Sequence, residues 1–366
     1  MKIWKYNIII SDIPWEYYLH PCPKFYGFEL AKRGITLWVN PPSRNPFKIR
    51  IKKISKNLII LTPWMFTRPL KGAGFDRVEV RFQVKLAAKV FQKKISSLWS
   101  ISTAYCHLLK DFPTAVSIFW SGDFFSPKKE FNSYKEFDLV LCLTPPNYLS
   151  IPESFKGKRM HFNMSCDLNI FQQKSATYSL AESFANFSSS GSKLIGYIGT
   201  LSSRRIDYTL VKRLTQIRPK MRFIFVGKGD GLESTNYEIK HLAKRENVLL
   251  LESVDYENVP FYIRKFDACL IPYQINEANW GTCPCKFVEY CAIGKPIIST
   301  SLPGLTKFSD LAKFADSAEN FADLIDQALS TKREKEINLQ KKFAEESSAS
   351  NFLVKIENII PKNKYV

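Results

Sequence analysis

The sequence predicts an α/β protein with two Rossmann-like domains, each built on a parallel sheet. Three observations carry this. The chain has 366 residues, more than one hydrophobic core usually serves. Short apolar runs recur in two series, and continuous runs of that length read as strands buried on both faces. Each run is followed by a polar or helical stretch, and that alternation implies βαβ units. A composition of 45% hydrophobic and 24% charged residues is globular and excludes a disordered or fibrous class.

Taken in order, the first series is Asn7–Ile10 (extending back to Tyr6), Ile35–Val39, Leu58–Thr62, Ala115–Trp120 and Leu139–Leu143. Between its third and fourth strands, Asp76–Trp99 places Arg77, Arg81, Lys85, Lys89 and Lys93 four apart. On a helix that spacing makes a slowly winding cationic stripe. Phe82, Leu86 and Val90 form the neighbouring apolar row, with Phe91, Ile95, Leu98 and Trp99 beyond. A basic amphipathic helix suits an anionic membrane surface, while the plain alternative is a solvated helix face. Val78, Val80, Phe82 and Val84 also alternate, which allows a strand at the front of this segment. The second series is Leu194–Ile198, Arg222–Val226, Val248–Leu251, Ala268–Ile271 and Pro296–Ser299. Between the two series lies SATYSLAESFANFSSSGS, Ser- and Ala-rich and ending near Gly191, which reads as a join. The expected division is 1–174, a linker at 175–192, a second domain at 193–342, and a tail helix at 343–366 packing back on the first domain.

Charge is unevenly spread. The net charge is +19, and residues 1–110 hold 20 Lys+Arg against 5 Asp+Glu, whereas the rest hold 33 against 29. A basic front implies an anionic partner there: a lipid surface, a phosphorylated acceptor or a nucleic acid. The alternative is charge that serves solubility alone. No apolar stretch reaches the roughly 18–20 residues of a membrane helix, and the start, MKIWKYNIIISDIPWEYY, has no small-residue cleavage site. Several of the eight cysteines sit in apolar runs, such as Cys142 in LVLCLTP. That suits a reducing cytosol better than a disulfide scaffold. Cys283, Cys285 and Cys291 lack the spacing and paired His of a zinc site, so no metal is expected.

The chemistry concentrates in the second half. LIGYIGTLSSRRIDYTLVKRL runs strand, glycine turn, helix. Gly199 allows close backbone approach and Thr200 offers a hydroxyl. Arg204 and Arg205 sit near a helix start that already favours anions, an arrangement suited to a pyrophosphate or equally to a structural turn. FIFVGKGDG, with Gly227, Lys228 and Gly229, ends the next strand at the sheet edge where open α/β sheets bind ligands. Asp255 or Tyr256 starts a short helix that Pro260 interrupts. In PCKFVEYCAIGKPIISTSL, Lys286 and Glu289 lie three apart and share a helix face, and Gly294 ends that helix. Glu289 there can accept both ribose hydroxyls of a nucleotide, and Lys286 can meet phosphate or hold Glu289. The plain alternative is a surface ion pair.

In order and spacing, IGYIGTL, FVGKGDG, NVLLLESVDYENVPFYIRKFDACLIPY and PCKFVEYCAIGKPIIST resemble the C-terminal domain of GT-B glycosyltransferases of the large retaining group-1 family. Within it they resemble the branch that makes bacterial surface polysaccharides, including teichuronic-acid-type members. The resemblance covers about a third of the chain. A looser likeness runs through IIISDIPWEYY and WVNPP near the start, and through Asp167-Leu168-Asn169-Ile170-Phe171 before the interdomain crossover. The resemblance implies two parallel sheets facing across a cleft, a nucleotide-diphosphate sugar (UDP- or GDP-linked) on the second domain, and an acceptor on the first. It implies catalysis without a metal, because side chains and helix N-termini offset the pyrophosphate charge. Arg204 or Arg205 would meet phosphate and Glu289 ribose, within a donor set of Gly199, Thr200, Arg204, Arg205, Gly227, Lys228, Asp255, Tyr256, Lys286 and Glu289. The chain departs from the pattern at Gly281, where many members carry a second glutamate, and in lacking the Gln-Arg pair after the opening Pro-Trp.

For a catalytic base, Asp123 in FWSGDFFS follows a strand end and can take the acceptor proton if the reaction inverts; as a turn or N-cap residue it would have no such role. His20 is the second candidate. The expectation is therefore a cytoplasmic enzyme, peripheral at the inner face of the membrane, that moves a sugar onto a lipid-linked or polysaccharide acceptor. Its rivals are a GT-B sugar-nucleotide epimerase, which needs no acceptor, and a basic nucleic-acid-binding protein. No recognition-helix or single-strand signature is present, so nucleic acid is not expected as a partner.

Overall fold

The computed structural model describes residues 3–16, 22–43, 50–64, 75–89, 94–101, 108–121, 127–173, 180–188 and 191–360. The chain divides into two compact units, 1–162 with 349–366, and 163–348.

Among the described residues the first unit contains β1 (Tyr6–Ile10), β2 (Ile35–Val39), β3 (Arg50–Lys53), β4 (Leu58–Thr62), β5 (Ser97–Ser100), β6 (Val116–Trp120), β7 (Leu139–Cys142) and β8 (Lys158–His161). They form one sheet in the order β3-β4-β2-β1-β5-β6-β7-β8. Only the β3–β4 pairing in it is antiparallel. The five apolar runs of the first series are five of these strands. The other three carry little apolar signal. β3 is RIKK and exposed throughout, and β8 is KRMH; both lie at the sheet's edges, where backbone pairing alone can hold a strand.

β5 corrects the expectation for Asp76–Trp99. The helix α2 spans Phe75–Lys89, and Leu98 and Trp99 belong to a central strand instead of to its apolar row. β5 is short and Ser-bounded, so its pattern is weak; its Ser97 Oγ donates to Asn7 Oδ1 on β1 at 2.7 Å, which satisfies both groups away from water. The buried row of α2 is Val80, Val84 and Ala88, while Val78, Phe82 and Leu86 stand exposed. Phe82 and Leu86 of the expected apolar row thus face outward, and the Val78–Val84 alternation forms no strand, because burial follows the four-residue helical step. Val90, Phe91 and Lys93 lie outside the described residues.

α2 covers one sheet face through Ile8, Leu37, Leu61 and Leu98. The other face is aromatic. Helices α1 (Cys22–Arg33) and α14 (Ala349–Ile359) pack on one another. Tyr26 of α1 meets Trp120 edge-on at 4.5 Å and Phe352 of α14 at 5.8 Å, and Phe352 meets Phe162 at 5.6 Å. Arg33 ties the two helices by donating to Ser350 O and Oγ at 3.2 and 3.1 Å.

The second unit holds β9 (Leu194–Ile198), β10 (Arg222–Val226), β11 (Val248–Leu251), β12 (Ala268–Ile271), β13 (Ile297–Ser299) and β14 (Lys313–Phe314). All run parallel, in the order β11-β10-β9-β12-β13-β14. The sequence missed only β14, two residues long. The unit begins ahead of the Ser-rich join because α5 (Leu168–Gln172) belongs to it: Arg264 donates to Phe171 O and Gln173 O, each at 2.7 Å. Inside the stretch expected as a linker, α6 (Glu182–Ser188) buries Phe184 edge-on against Tyr262 at 5.3 Å. Pro260 does not interrupt a helix. A 3₁₀ turn, Tyr256–Asn258, leads into α9 (Val259–Lys265), and Pro260 lies in its first turn, where a missing N–H costs nothing. Among the described residues no helix is long and apolar enough to cross a membrane.

Candidate functional site

In the second unit β9 to β11 build outward on one side and β12 to β14 on the other. Such a reversal opens a crevice at the carboxyl ends of the two central strands, because the connections leave on opposite faces. Gly199 directly follows β9, and Tyr273 follows β12 after Pro272.

Two glycines shape the floor. Gly199 has φ +139° and Gly227, after β10, φ +156°, conformations that side chains with a Cβ rarely adopt. A Cβ on Gly227 would stand 1.9 Å from the Gly199 carbonyl oxygen, and one on Gly199 would stand 3.0 Å from both Cε and Nζ of Lys286. The two turns therefore touch backbone to backbone, and Lys286 lies directly on Gly199. Leu201 N–H donates to Lys228 O at 2.9 Å, and Ser202 Oγ donates to Asp230 Oδ2 at 2.5 Å. These bonds lock the turn after β9 to the turn after β10. Thr200 contributes its carbonyl, which accepts from Tyr197 Oη at 2.8 Å; the Lys228 side chain is exposed.

Lys286 comes from α11 (Cys285–Ile293), a helix buried along most of its length and closed by Gly294. Tyr290 Oη on this helix accepts from Ile198 N–H at 3.2 Å, which fixes α11 against the end of β9. Lys286 is 9% exposed. A buried ammonium needs compensation, and it has two kinds: Nζ donates to Tyr273 Oη at 2.7 Å, and it stands 4.9 and 5.0 Å from the ring centres of Tyr197 and Tyr273, within cation–π range. Burial would push the Tyr273 phenol up, but the charges of Lys286 and Arg205 overcome this and hold it below its ordinary value.

Of the two arginines, Arg205 is the one on this side. Its Nη1 reaches Thr282 Oγ1 at 3.2 Å and Asn279 Oδ1 at 3.5 Å. Arg204 is exposed, and its carbonyl accepts from Asn276 and Asn279. Both precede α7 (Tyr208–Ile217), whose first turn Asp207 caps by accepting from Leu210 N–H at 2.9 Å.

Glu289 lies one turn along α11 from Lys286 and is 6% exposed. Burial pushes its carboxyl up to about 7, against the pull of the Lys286 charge and of the nearby Tyr256 hydroxyl. The solvated surface ion pair is therefore not what forms: both groups are buried, and Lys286 gives its hydrogen bond to Tyr273. Tyr256 packs on Phe171 at 5.6 Å, and Asp255 beside it is exposed.

The structure thus brings Gly199, Thr200, Arg205, Gly227, Lys286, Glu289 and Tyr256 to one end of one sheet, with Arg204, Lys228 and Asp255 at the rim. His20 and Asp123 lie outside the described residues. Sequence reasoning missed Tyr197, Tyr273, Asn279 and Thr282. Tyr197 sits inside a strand and reads as core; Tyr273 closes the run ACLIPY, and only its place after a switch-point strand could have marked it. Among the described residues no three or more His, Cys, Asp or Glu side chains gather so as to hold a metal ion.

Residues 192–331 match the family described as group 1 glycosyl transferases. A stretch of 116 residues is 28% identical to the putative teichuronic acid biosynthesis glycosyltransferase TuaH of Bacillus subtilis strain 168, covering 31% of this chain and 28% of that one. The alignment thus spans under a third of that relative's length. Among solved structures, the E. coli trehalose-6-phosphate protein bound with UDP-2-fluoro glucose superposes with a TM-score of 0.72 at 12% identity, over 99% of each chain. Anabaena Alr3699/HepE in complex with UDP and glucose gives 0.70 at 12%, over 97% of this chain and 99% of that one. Sucrose-phosphate synthase from Thermosynechococcus elongatus gives 0.67 at 14%, over 98% and 96%. At such identities the likeness speaks for the fold.

Proposed function

The chain belongs, through residues 192–331, to the group 1 glycosyl transferases and has their two-domain GT-B fold, and from that premise we propose that it moves a sugar from a nucleotide-diphosphate donor to a lipid-linked or polysaccharide acceptor. The observation that carries this is the convergence of Lys286 and Arg205 on Tyr273, at the switch point beneath Gly199. Two cations at a water-poor sheet edge are placed to offset the charge that builds on a departing diphosphate. Arg205 and Lys286 take its phosphates, Gly199 leaves room for them, and the Glu289 carboxylate accepts the ribose hydroxyls. With two side-chain cations in place, the charge is offset without a metal. UDP is the favoured nucleotide, since two of the structural neighbours carry it.

The acceptor binds the N-terminal unit, whose +15 surplus over residues 1–110 suits a phosphate-bearing lipid carrier and an anionic membrane surface. Asp123, or secondarily His20, would receive the acceptor proton in an inverting reaction. The test is calorimetric binding of UDP and UDP-sugars to wild type and Glu289→Ala. Loss of affinity by about tenfold or more, roughly 1.4 kcal/mol, is expected; unchanged affinity removes the ribose assignment, and no nucleotide binding at all removes the function.

A further inference from the structure

A second feature lies on the N-terminal unit, at the sheet edge opposite its strands' carboxyl ends. Helix α2 carries three parallel rows, each with a four-residue step. Val80, Val84 and Ala88 are buried on the sheet. Arg81, Lys85 and Lys89 come next around the helix, and Val78, Phe82 and Leu86 beyond them are 61%, 66% and 51% exposed. At 100° per residue the basic row lies between the buried row and the exposed apolar one.

At the end of α2 a cavity of about 380 Å³ opens, lined by Lys85, Lys89 and Lys94 around Ala88, Ile95 and Phe112. It sits where the chain enters β5 and β6, at their amino ends, away from the carboxyl-end crevice where such sheets take substrates. Asp111 is its one acidic lining residue. That carboxylate is already engaged: Arg81 Nη2 donates to Oδ1 at 2.7 Å, and Lys85 Nζ stands 3.2 Å from it. Together with Arg81 the pocket keeps a cationic excess.

We propose that this edge is a lipid-docking surface: an anionic phospholipid headgroup enters the cavity of Lys85, Lys89 and Lys94 while Val78, Phe82 and Leu86 enter the acyl boundary. The inference deepens the membrane reading above and is independent of the donor chemistry. Charge complementarity selects this occupant. A chain of net charge +19 that met its own copy through this patch would bring like charges together. A nucleic acid would meet the lysines and could stack a base on Phe82, but it would leave the aliphatic Val78 and Leu86 in water. An anionic leaflet satisfies both, since its surface attracts lysines and its interior takes apolar side chains.

The experiment is co-sedimentation of the full chain with vesicles of phosphatidylcholine alone or mixed with phosphatidylglycerol. Wild type is expected on the mixed vesicles, with binding that fades as salt rises. Phe82→Ser with Leu86→Ser, and separately Lys89→Glu with Lys94→Glu, each weaken binding about tenfold or more. Lys240→Glu with Lys244→Glu, the same charge change on exposed residues of the other unit, leaves it unchanged. UDP affinity and thermal midpoint, read on every variant, report folding and the donor site, so failure of the donor reading shows as absent UDP binding with vesicle binding intact. The proposal is overturned if wild type ignores the mixed vesicles, if neither pair weakens binding, if the control pair weakens it equally, or if the apolar pair instead dissolves a dimer of the chain.

Discussion

Lys286 Nζ donates to Tyr273 Oη at 2.7 Å, and both side chains are buried. The phenol holds a cation in place before any ligand arrives. Tyr273→Phe removes the acceptor and leaves a buried ammonium with only ring faces, a loss on the order of 1–3 kcal/mol in stability. UDP affinity is expected to fall several-fold. The phenol's lowered value means that its anion is favoured by Lys286 and Arg205. Its contribution to stability is therefore present at alkaline pH and is lost as pH falls through the folded-state value. An alkaline titration followed by tyrosinate absorbance should show one early-ionising tyrosine, absent in Tyr273→Phe and delayed in Lys286→Met. An unchanged titration in Lys286→Met would break the pairing.

Glu289 gives a second pH effect of opposite sign. Its carboxyl is raised from 4.5 to about 7, so the folded state holds a proton that the unfolded chain releases. The stability this gives is complete below about pH 4.5 and is lost as pH rises to about 7, amounting to ~3 kcal/mol at most. Glu289→Gln keeps the shape without the charge. It should be more stable than wild type at about pH 8 and no more stable at about pH 4 in urea unfolding. UDP binding by wild type should weaken as Glu289 takes up its proton, while the variant binds weakly throughout.

Gly227→Ala sets a methyl 1.9 Å from the Gly199 carbonyl oxygen at φ +156°. Backbone cannot yield as a side-chain tip can, so the turns after β9 and β10 must part. A cost of roughly 2–4 kcal/mol is expected, with UDP affinity lost along with it. A variant of wild-type thermal midpoint would contradict the close approach.

Phe352 anchors the tail helix against Tyr26 and Phe162. Phe352→Ala should cost about 3–5 kcal/mol, seen as early denaturant unfolding. Because the aromatic pocket belongs to the first unit, UDP binding at the other unit's sheet should persist under native conditions.

The strands that the sequence made legible are those whose neighbours bury them on both faces. Leu194–Ile198 and Ala268–Ile271 are such strands, and both were bounded correctly. β3 and β8 were invisible because edge pairing is a backbone matter and RIKK or KRMH gives no hydropathic cue. α2 shows a different limit: its four-residue steps were plain, but three rows share that step, and which of them meets the sheet depends on where Leu61 and Leu98 stand.

The site divides in the same way. Gly199, Gly227, Lys286 and Glu289 could be named from turn and helix spacing, since a glycine after a strand and an i,i+3 pair are local facts. The amino-acid order alone determined two α/β units with parallel sheets and the glycine turns that end two strands of the second sheet, because strand burial and helix periodicity are written in short stretches. Only the tertiary structure decided that Lys286 turns to Tyr273 instead of Glu289, that Arg205 and not Arg204 faces it, and that Glu289 rises to about 7. Those outcomes depend on which distant groups share a region emptied of water, and desolvation is a property of the packed whole.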